Sequence, residues 1–377
     1  MKDLTEIRKE IDEIDRKLLE LFEYRMKLSL NVAEYKKKED LPVYDPEREK
    51  EKLKKLRDMV KIHENADAVS DLFTQIMLLS RRAQYNALMV FDDFGFEAVE
   101  NFGANIATKI AYYGEIGSYT EQAMLEYFKG QGTGIAMKTF EEVMMSLKNG
   151  QADYGVLPIE NSSTGTLSDI FDLLAEYDNY IIGEHVVTVD HNLWGLPGAD
   201  ISKVKRVYSH PQALLQCSDF LKKHPYIEQI EGGSTASCAR RILQENDLSQ
   251  AAIASKRAGE AYGLELLQTS IHNEEHNRTR FIIISNKRRY LSQANRISIC
   301  FVLPHRSGAL YHILSHFIHN NVNLTRIESR PTKGKAFSYR FFVDFEGSLN
   351  NAQIKNALYS IKQEALELKI LGSYIPI

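Results

Sequence analysis

The sequence LTEIRKEIDEIDRKLLELFEYRMKLSLNVAEYKKK occupies residues 4–38 and determines how the first part of the chain folds. Its apolar side chains recur at alternating intervals of three and four, at Leu4, Ile7, Ile11, Ile14, Leu18, Leu21, Leu28, Val32 and Tyr35. This spacing is typical of the packed face of an α-helix. One position on that face carries Arg25, a permanent charge, where an apolar residue is expected. A buried guanidinium without a partner is very costly, so Arg25 needs an anion.

Two kinds of anion could serve Arg25. An acidic side chain of the same helical bundle is the simpler answer, and on Arg25 alone it is the favoured one. Other polar residues change the balance, because several cations and neutral donors are predicted around the same helical core. The cations are Arg8, Lys36 and Arg48, the neutral donors are Ser80 and Gln84, and Glu49 stands next to Arg48. This set favours the second answer, a pocket for a small dianion.

Composition bounds the class of protein. The chain has 377 residues, 44% of them hydrophobic, which suits two or three domains. A net charge of −4 implies no general attraction to nucleic acid or to an anionic membrane. The N-terminus lacks the apolar core of a signal peptide, and no apolar run approaches the ~18 residues of a membrane span. Three widely separated cysteines, Cys217, Cys238 and Cys300, suit a reducing compartment, so we expect a cytoplasmic protein.

The first 92 residues contain no glycine and have a helical period throughout. Helices are predicted over about 4–38, from Pro46 to about 63, and over about 66–90, with Asp45 capping the second. The first helix is ~50 Å long by its rise per residue, which is longer than the other two. A second copy of the chain is therefore expected to complete the bundle.

The remaining chain divides into a linker and two further domains. The segment FDDFGFEAVENFGAN at 91–105 indicates a linker, which we place at 93–107, and strands alternating with helices predict an α/β domain over 108–287. From 295 to 377 the order strand, helix, strand, strand, helix predicts an α+β, ferredoxin-like βαββαβ unit.

Polar loops follow several strands of the middle domain. Ser118 with Glu121, and Ser209 with Gln212, have the spacing of helix capping boxes. Any single loop is explained by ordinary capping, but several together indicate a cleft that binds a small carboxylate. The segment HNEEH at 272–276 spaces two histidines as metal ligands, but a zinc hydrolase motif needs Glu where Asn273 stands. No metal site is predicted.

Residues 4–90 resemble the all-helical chorismate mutases. The matching positions are Arg8, Arg25, Lys36, Asp45, Arg48, Glu49, Ser80 and Gln84. The resemblance implies that Arg25, with Arg8 from a second chain, holds the two carboxylates of chorismate. Lys36 and Gln84 would donate to the ether oxygen, and Glu49 with the backbone near Asp45 would hold the ring hydroxyl. Arg48 and Ser80 would complete the wall, and Lys36, Gln84 and Glu49 would be the catalytic residues.

Residues 108–285 resemble prephenate dehydratase through GQADYGVLPIENSSTG, VYSHPQALLQC, AYGLELL and the triplet at 279–281. The resemblance implies two lobes like a periplasmic binding protein, with the second lobe at about 190–268. It gives Thr279 the leading catalytic role. The cleft would be lined by Glu160, Asn161, Ser162, Ser209, Gln216 and Thr235. Arg280 either clamps a substrate carboxylate or only supports its loop, and the sequence leaves both open.

GALYHIL at 308–314 and NLTRIESRP at 323–331 resemble the ACT regulatory domain attached to this dehydratase. Such domains pair side by side and bind an amino acid. The resemblance implies that phenylalanine is held by Gly308, Ala309, Leu310, Asn323 and Leu324. Glu328, Ser329 and Arg330 would transmit or stabilise the bound state. The alternative is a unit kept only for dimerisation.

The resemblances together imply one enzyme with two activities, inhibited by phenylalanine, needing no cofactor or metal, and forming a homodimer or homotetramer. Two alternatives compete with it. In the first, the helices are only a dimerisation module on a dehydratase. In the second, the chain is a non-enzymatic amino-acid sensor.

Overall fold

A computed structural model describes residues 3–88, 94–274, 276–332 and 338–377. The N-terminal region consists of three α-helices. They are α1 (Leu4–Lys38), α2 (Pro46–Asp58) and α3 (Ala66–Leu88). The prediction for α1 is confirmed at both ends. The Asp45 carboxylate accepts from the backbone N–H of Arg48 at 3.0 Å, as its capping role predicts. The second helix ends earlier than predicted, and the predicted end of the third lies outside the described residues.

The apolar stripe of α1 is exposed in the single chain. Exposure along it runs from 39% at Ile7 to 66% at Leu21, and the buried residues of the helix are Ser29 and Ala33. A row of nine apolar side chains open to water is unusual for a protein that acts alone. It indicates a face that another surface covers.

The middle region has two lobes, each built on its own sheet. Elements of the first lobe are β1 (Glu97–Val99), β2 (Lys109–Tyr113), α4 (Tyr119–Tyr127), β3 (Thr133–Met137), α5 (Phe140–Lys148), β4 (Tyr154–Asn161), β5 (Gly165–Thr166), α6 (Ser168–Glu176) and β6 (Tyr180–Thr188). Those of the second lobe are β7 (Asn192–Gly195), β8 (Arg206–Ser209), α7 (Pro211–Gln216), α8 (Ser218–Lys223), β9 (Glu228–Glu231), α9 (Thr235–Glu245), β10 (Gln250–Ala254), α10 (Lys256–Ala261) and β11 (Glu265–Gln268). The chain then returns to the first sheet through β12 (Arg278–Ser285), and the next strand, β13 (Arg289–Leu291), pairs with β1 in a separate two-stranded sheet.

Strand β12 lies between β4 and β6, so the chain crosses between the lobes twice. The lobes meet closely at Gly117, whose carbonyl accepts from the buried Ser255 hydroxyl at 2.8 Å. A Cβ at Gly117 would lie 2.6 Å from the Cα of Ala258, and its φ is +87°. Only glycine fits this contact between the lobes.

Three residues of the predicted linker form a short strand. Glu97–Val99 form β1, which pairs in parallel with β13. The neighbouring Phe96 is buried, with its ring 5.3 Å from that of Tyr180. Aromatic packing on both sides of this short strand holds the segment in place.

The C-terminal unit has the predicted βαββαβ order. Its elements are β14 (Arg296–Val302), α11 (Ala309–His319), β15 (Leu324–Pro331), β16 (Tyr339–Glu346), α12 (Ala352–Glu364) and β17 (Glu367–Tyr374). The antiparallel strand order β15-β16-β14-β17 is the ferredoxin-like one. Strand β17 also meets β6 at Gly372, so this sheet and that of the first lobe are continuous. Among the described residues, no helix is long and apolar enough to cross a membrane.

Candidate functional site

Arg25 is not neutralised by an acidic side chain in the described part of the chain. Its Nη1 donates to the Ser80 hydroxyl at 2.5 Å and lies 3.5 Å from the carbonyl of Ile76. Burial lowers the pKa of Arg25, and the nearby charge of Glu49 only partly opposes this. Its strong partner is thus a neutral hydroxyl, as expected for a cation that receives a ligand.

Lys36 and Gln84 are also incompletely satisfied. The Lys36 ammonium donates to the carbonyl of Val43 at 2.6 Å, and burial lowers its pKa despite the charge of Asp45. Gln84 is buried on α3, and its Oε1 has no hydrogen-bond partner among the described residues. Orphaned polar atoms are rare inside proteins and need an explanation. A bound polar ligand supplies one.

Arg8 is the predicted residue that a single chain does not bring to this pocket. It is exposed on α1, 17 residues before Arg25, and therefore ~25 Å away along the helix axis. No arginine side chain spans that distance. Arg8 could reach the Arg25 end of this helix only from a second copy of the chain.

The sequence reasoning missed Arg81. Its Nη1 forms a short ion pair with Glu49, and its Nη2 lies 2.7 Å from Oε1 of Glu364 in the C-terminal unit. The side chain is only 8% exposed. The available signal was its position on α3 between Ser80 and Gln84.

In the middle region, Thr279 on β12 faces Asn161 on β4. The Asn161 amide donates to Thr279 Oγ1 at 2.9 Å and to the side-chain oxygen of Asn277 at 2.8 Å. Because the Thr279 oxygen accepts this bond, its own O–H remains available as a donor. Two adjacent strands thus present one oriented hydroxyl.

The loop after β4 is tied to the chain segment that returns from the second lobe. Ser162 exchanges two bonds with the backbone of Arg278, each at 2.9 Å. The side-chain oxygen of Asn161 accepts from the N–H groups of Ser163 and Thr164. These bonds fix the loop beside Thr279.

Arg280 is fully paired. Its guanidinium lies 2.7 Å from a carboxylate oxygen of Glu160 and 3.3 Å from one of Glu184. The side chain is mostly buried between them. This arrangement favours the supporting role over the clamping role, and it places Glu160 in an ion pair.

A cavity of about 520 Å³ lies where the two lobes and the returning segment meet. Its lining includes Ser163, Gln212, Gln216 and Asn277. Oε1 of Gln216 lies 3.0 Å from Nε2 of His191, whose pKa is lowered by burial. The cavity has the size and polar lining of a small-molecule site.

Two predictions in the second lobe are wrong. Ser209 is completely buried, and its hydroxyl donates to the carbonyl of Ile253 at 2.7 Å, so it does not line the cleft. The cap of α7 is His210, whose Nδ1 accepts from the N–H of Gln212, because the helix starts one residue later than the predicted capping box. Thr235 is the first residue of α9, whose cap is Ser234.

The Ser118 cap is confirmed in part. Its hydroxyl accepts from the N–H of Glu121 at 3.2 Å. The Glu121 carboxylate returns to the N–H of Gly117 rather than that of Ser118. Near HNEEH, His272 lies 3.3 Å from Asp190, and the described residues contain no cluster of three metal-ligating side chains. Glu275 lies outside the described residues.

Another cavity, of about 400 Å³, lies in the C-terminal unit and is lined by Ala309, Leu310, Arg306 and Tyr339 among others. Gly308 caps α11 with a φ of +75°. Asn323 and Leu324 lie at the start of β15, away from this lining.

The predicted coupling residues make contacts of their own. Glu328 pairs with Arg326 at 2.7 Å. Arg330 makes a two-armed pair with Asp172 of α6, at 2.9 and 2.7 Å. Ser329 lies between them on β15 and is exposed.

The helical region thus contains a half-buried arginine bonded to a hydroxyl, and the middle region contains a separate oriented hydroxyl at Thr279, an arrangement typical of an enzyme with two sites. Residues 7–85 match the family described as "Chorismate mutase type II", and residues 110–289 match "Prephenate dehydratase". A bifunctional chorismate mutase/prephenate dehydratase of Aquifex aeolicus is 35% identical over 99% of this chain and 98% of its own.

Two solved structures cover 71% of this chain. One is a prephenate dehydratase from Arthrobacter aurescens in complex with L-Phe, which has a TM-score of 0.65, 30% identity and 90% coverage of its own chain. The other is titled GqqA, a novel type of quorum quenching acylase, and has a TM-score of 0.66, 29% identity and 98% coverage. The full-length similarity shows that this chain belongs to the bifunctional chorismate mutase/prephenate dehydratase family, and both enzyme regions are present in it.

Proposed function

We propose that the helical pocket converts chorismate to prephenate and that the cleft at Thr279 converts prephenate to phenylpyruvate. The observation that carries the first assignment is Arg25, a half-buried cation whose strong bond goes to a hydroxyl and not to a carboxylate. A site with uncompensated cations binds a dianion without first breaking an ion pair.

The mutase step needs no nucleophile, because the rearrangement breaks one C–O bond and forms one C–C bond together. Arg25, with Arg8 of a second copy, holds the two carboxylates and selects the folded conformer. Lys36 and Gln84 donate to the ether oxygen, which gains negative charge as its bond breaks. Glu49 and the backbone near Asp45 hold the ring hydroxyl, and Arg48 and Ser80 complete the wall.

In the dehydratase step the bond between the ring and its carboxylate breaks and CO₂ leaves. That electron pair completes the aromatic ring and expels the ring hydroxyl, which takes the Thr279 proton and departs as water, and Thr279 regains its proton from solvent water. Threonine is a weak acid, but aromatisation supplies a strong driving force for the step. Asn161 keeps the hydroxyl oriented, and Gln216 with Thr235 lines the facing lobe.

The exposed stripe of α1 supports a homodimer or homotetramer in which two copies exchange this helix. We propose a helical domain over 1–92, a dehydratase domain over 108–287 with its second lobe near 190–268, and a regulatory ACT domain over 295–377. Residues 93–107 connect the first two. The three cysteines are free and buried, which suits a cytoplasmic location.

Phenylalanine inhibition is proposed for the C-terminal cavity. Its lining by Ala309 and Leu310, next to Gly308, fits the predicted amino-acid contacts. Asn323 and Leu324 could complete such a site only from a second copy. The two-armed Arg330–Asp172 pair gives this unit a direct contact with the dehydratase region.

One experiment tests the whole assignment. Purified protein is supplied with chorismate alone, and loss of chorismate and appearance of phenylpyruvate are followed separately, with and without phenylalanine. We expect both signals, with at least one suppressed by phenylalanine. Phenylpyruvate formed from added prephenate, without any loss of chorismate, would reduce the helices to a dimerisation module.

A further inference from the structure

Arg81 is the most buried charged residue of α3, and it has no role in either of the proposed reactions. Its two arms hold carboxylates from different parts of the chain: Glu49 at the start of α2 and Glu364 at the end of α12. The ring of Tyr44 covers its guanidinium, 4.6 Å from the ring centre. A planar guanidinium with two carboxylates and an aromatic cover has one defined orientation.

Glu364, the second carboxylate that Arg81 binds, is itself held in place. Glu364 is only 6% exposed and lies 3.1 Å from Nε2 of His316 on α11. Burial opposes its ionisation, but the bond to His316 and the charge of Arg81 hold the pKa of Glu364 below its usual value. Glu364 is therefore an ionised anchor with limited freedom of movement.

The helices around the anchor pack directly on the mutase region. The rings of Tyr85 and Tyr359 meet edge to face with centres 5.1 Å apart, and Asn86 accepts a short bond from Asn356. A cavity of about 490 Å³ beside them is lined by Glu49, Arg81 and Glu364, together with Arg306. Arg306 also lines the proposed phenylalanine cavity.

We propose that Arg81 is a positioning residue for the mutase reaction, and that Glu364 of the C-terminal unit holds Arg81 so that Glu49 points at the ring hydroxyl of the substrate. The inference rests on the proposed function of Glu49. The helical pocket then depends on a carboxylate located 283 residues beyond Arg81 in the sequence.

The charges around Glu49 explain why its orientation should depend on Arg81 and Glu364. Glu49 is three-quarters buried and sits within the field of Arg25, Lys36 and Arg81. Without Arg81 it is drawn toward Arg25 or Lys36, the cations that must meet the substrate. Without Glu364, Arg81 loses one of two carboxylates and can rotate away from Glu49.

The test is a double-mutant cycle on the full chain with both activities measured. For Arg81→Met we expect kcat/KM for chorismate to fall ~10- to 100-fold, mainly through KM, because a hydroxyl contact acts on substrate and transition state alike. In a Glu49→Gln background the same change should have less than a twofold effect. Arg81→Lys, which keeps the charge but can grip only one carboxylate, should restore part of the loss.

Glu364→Gln should lower mutase kcat/KM ~3- to 10-fold, again only when Glu49 is intact. The matched control is Asp172→Asn, which removes a two-armed ion pair between the C-terminal unit and the dehydratase region. It should leave mutase kinetics within twofold of wild type.

Two results would overturn the proposal: normal mutase kinetics in Arg81→Met, or equal losses in both Glu49 backgrounds, which mark a merely structural role. Dehydratase activity of each variant reports folding. If Arg81→Met does not fold, the isosteric Glu364→Gln completes the cycle with the same criteria. Absence of mutase activity in the wild type would instead refute the proposed function.

Discussion

The helical pocket and the strand-borne cleft treat their charged residues in opposite ways. In the pocket, Arg25 and Lys36 bond to a hydroxyl and a carbonyl, and burial lowers the pKa of both. In the cleft, Arg280 lies between Glu160 and Glu184. In the proposed pocket these two positive charges have no ion-pair partner among the described residues and are available to a ligand. In the cleft the charge of the arginine is neutralised by internal ion pairs that support the structure.

This difference follows from the two reactions. A pericyclic shift offers no proton to transfer, so positive charge at the breaking C–O bond is the main help that a protein can give. Loss of a hydroxyl needs one directed donor, and we propose Thr279, which is held by Asn161, for this role. We propose that the pocket also takes Arg8 from a second copy, whereas Asn161, which orients Thr279, belongs to the same chain.

The largest expected effect is that of Lys36→Ala on the mutase alone. Removing this half-buried cation from the ether oxygen should lower mutase turnover ~10³-fold, with dehydratase turnover unchanged. Chorismate loss and phenylpyruvate formation from added prephenate measure the two activities. Gln84→Ala should act in the same direction with a smaller loss. Near-normal mutase turnover in a folded Lys36→Ala protein would remove the charge argument from this pocket.

Thr279→Ala should have the opposite selectivity, with loss of dehydratase activity and unchanged mutase activity. Loss of the only donor proposed for the departing hydroxyl should lower dehydratase kcat ~10²-fold, with the mutase unaffected. Thr279→Ser keeps the O–H and should retain most of the activity. If alanine and serine behave alike, the hydroxyl of Thr279 is not the donor, and the contrast between the sites fails on this side.

Leu18→Asp tests whether the mutase pocket needs two chains and the dehydratase cleft only one. A charge in the middle of the exposed stripe should oppose association, and light scattering should show a smaller assembly. Mutase activity should fall at least ~10-fold, because Arg8 no longer reaches the other pocket. Dehydratase activity should change less than the mutase. Lys17→Asp, on a polar position of the same helix, is the matched control.

Elements with strong local signals could be predicted from the sequence. The bounds of α1 follow from its apolar period, which only Arg25 interrupts, and the start of α2 follows from Asp45 and Pro46. The βαββαβ unit also has the predicted order, because each of its strands is a short apolar run. Ser80 and Gln84 lie one turn apart on α3, as their spacing predicts, and Arg25 of α1 bonds to Ser80.

Contacts between distant segments could not be predicted in the same way. Nothing local to Arg81 reveals Glu364, and nothing local to Arg280 reveals Glu184. Ser209 is a polar residue in a loop after a strand, as expected for a cleft residue. Because α7 starts one residue later than predicted, the Ser209 side chain lies in the core. A serine at a strand end can face either way, and only the tertiary bond to Ile253 settles its direction.

Arg280→Met tests the supporting role that the structure favours. Removal of the guanidinium leaves Glu160 and Glu184 close together without their cation, which should cost ~2–3 kcal/mol, less than for a fully buried pair because Glu160 is partly exposed. The thermal midpoint of dehydratase inactivation should fall by ~5–10 °C, while KM for prephenate changes less than about fivefold below that temperature. Arg280→Lys should lose less stability, since it keeps the charge. An unchanged midpoint with a KM at least ~100-fold higher would make Arg280 a substrate clamp, and both sites would then keep a cation for their ligand.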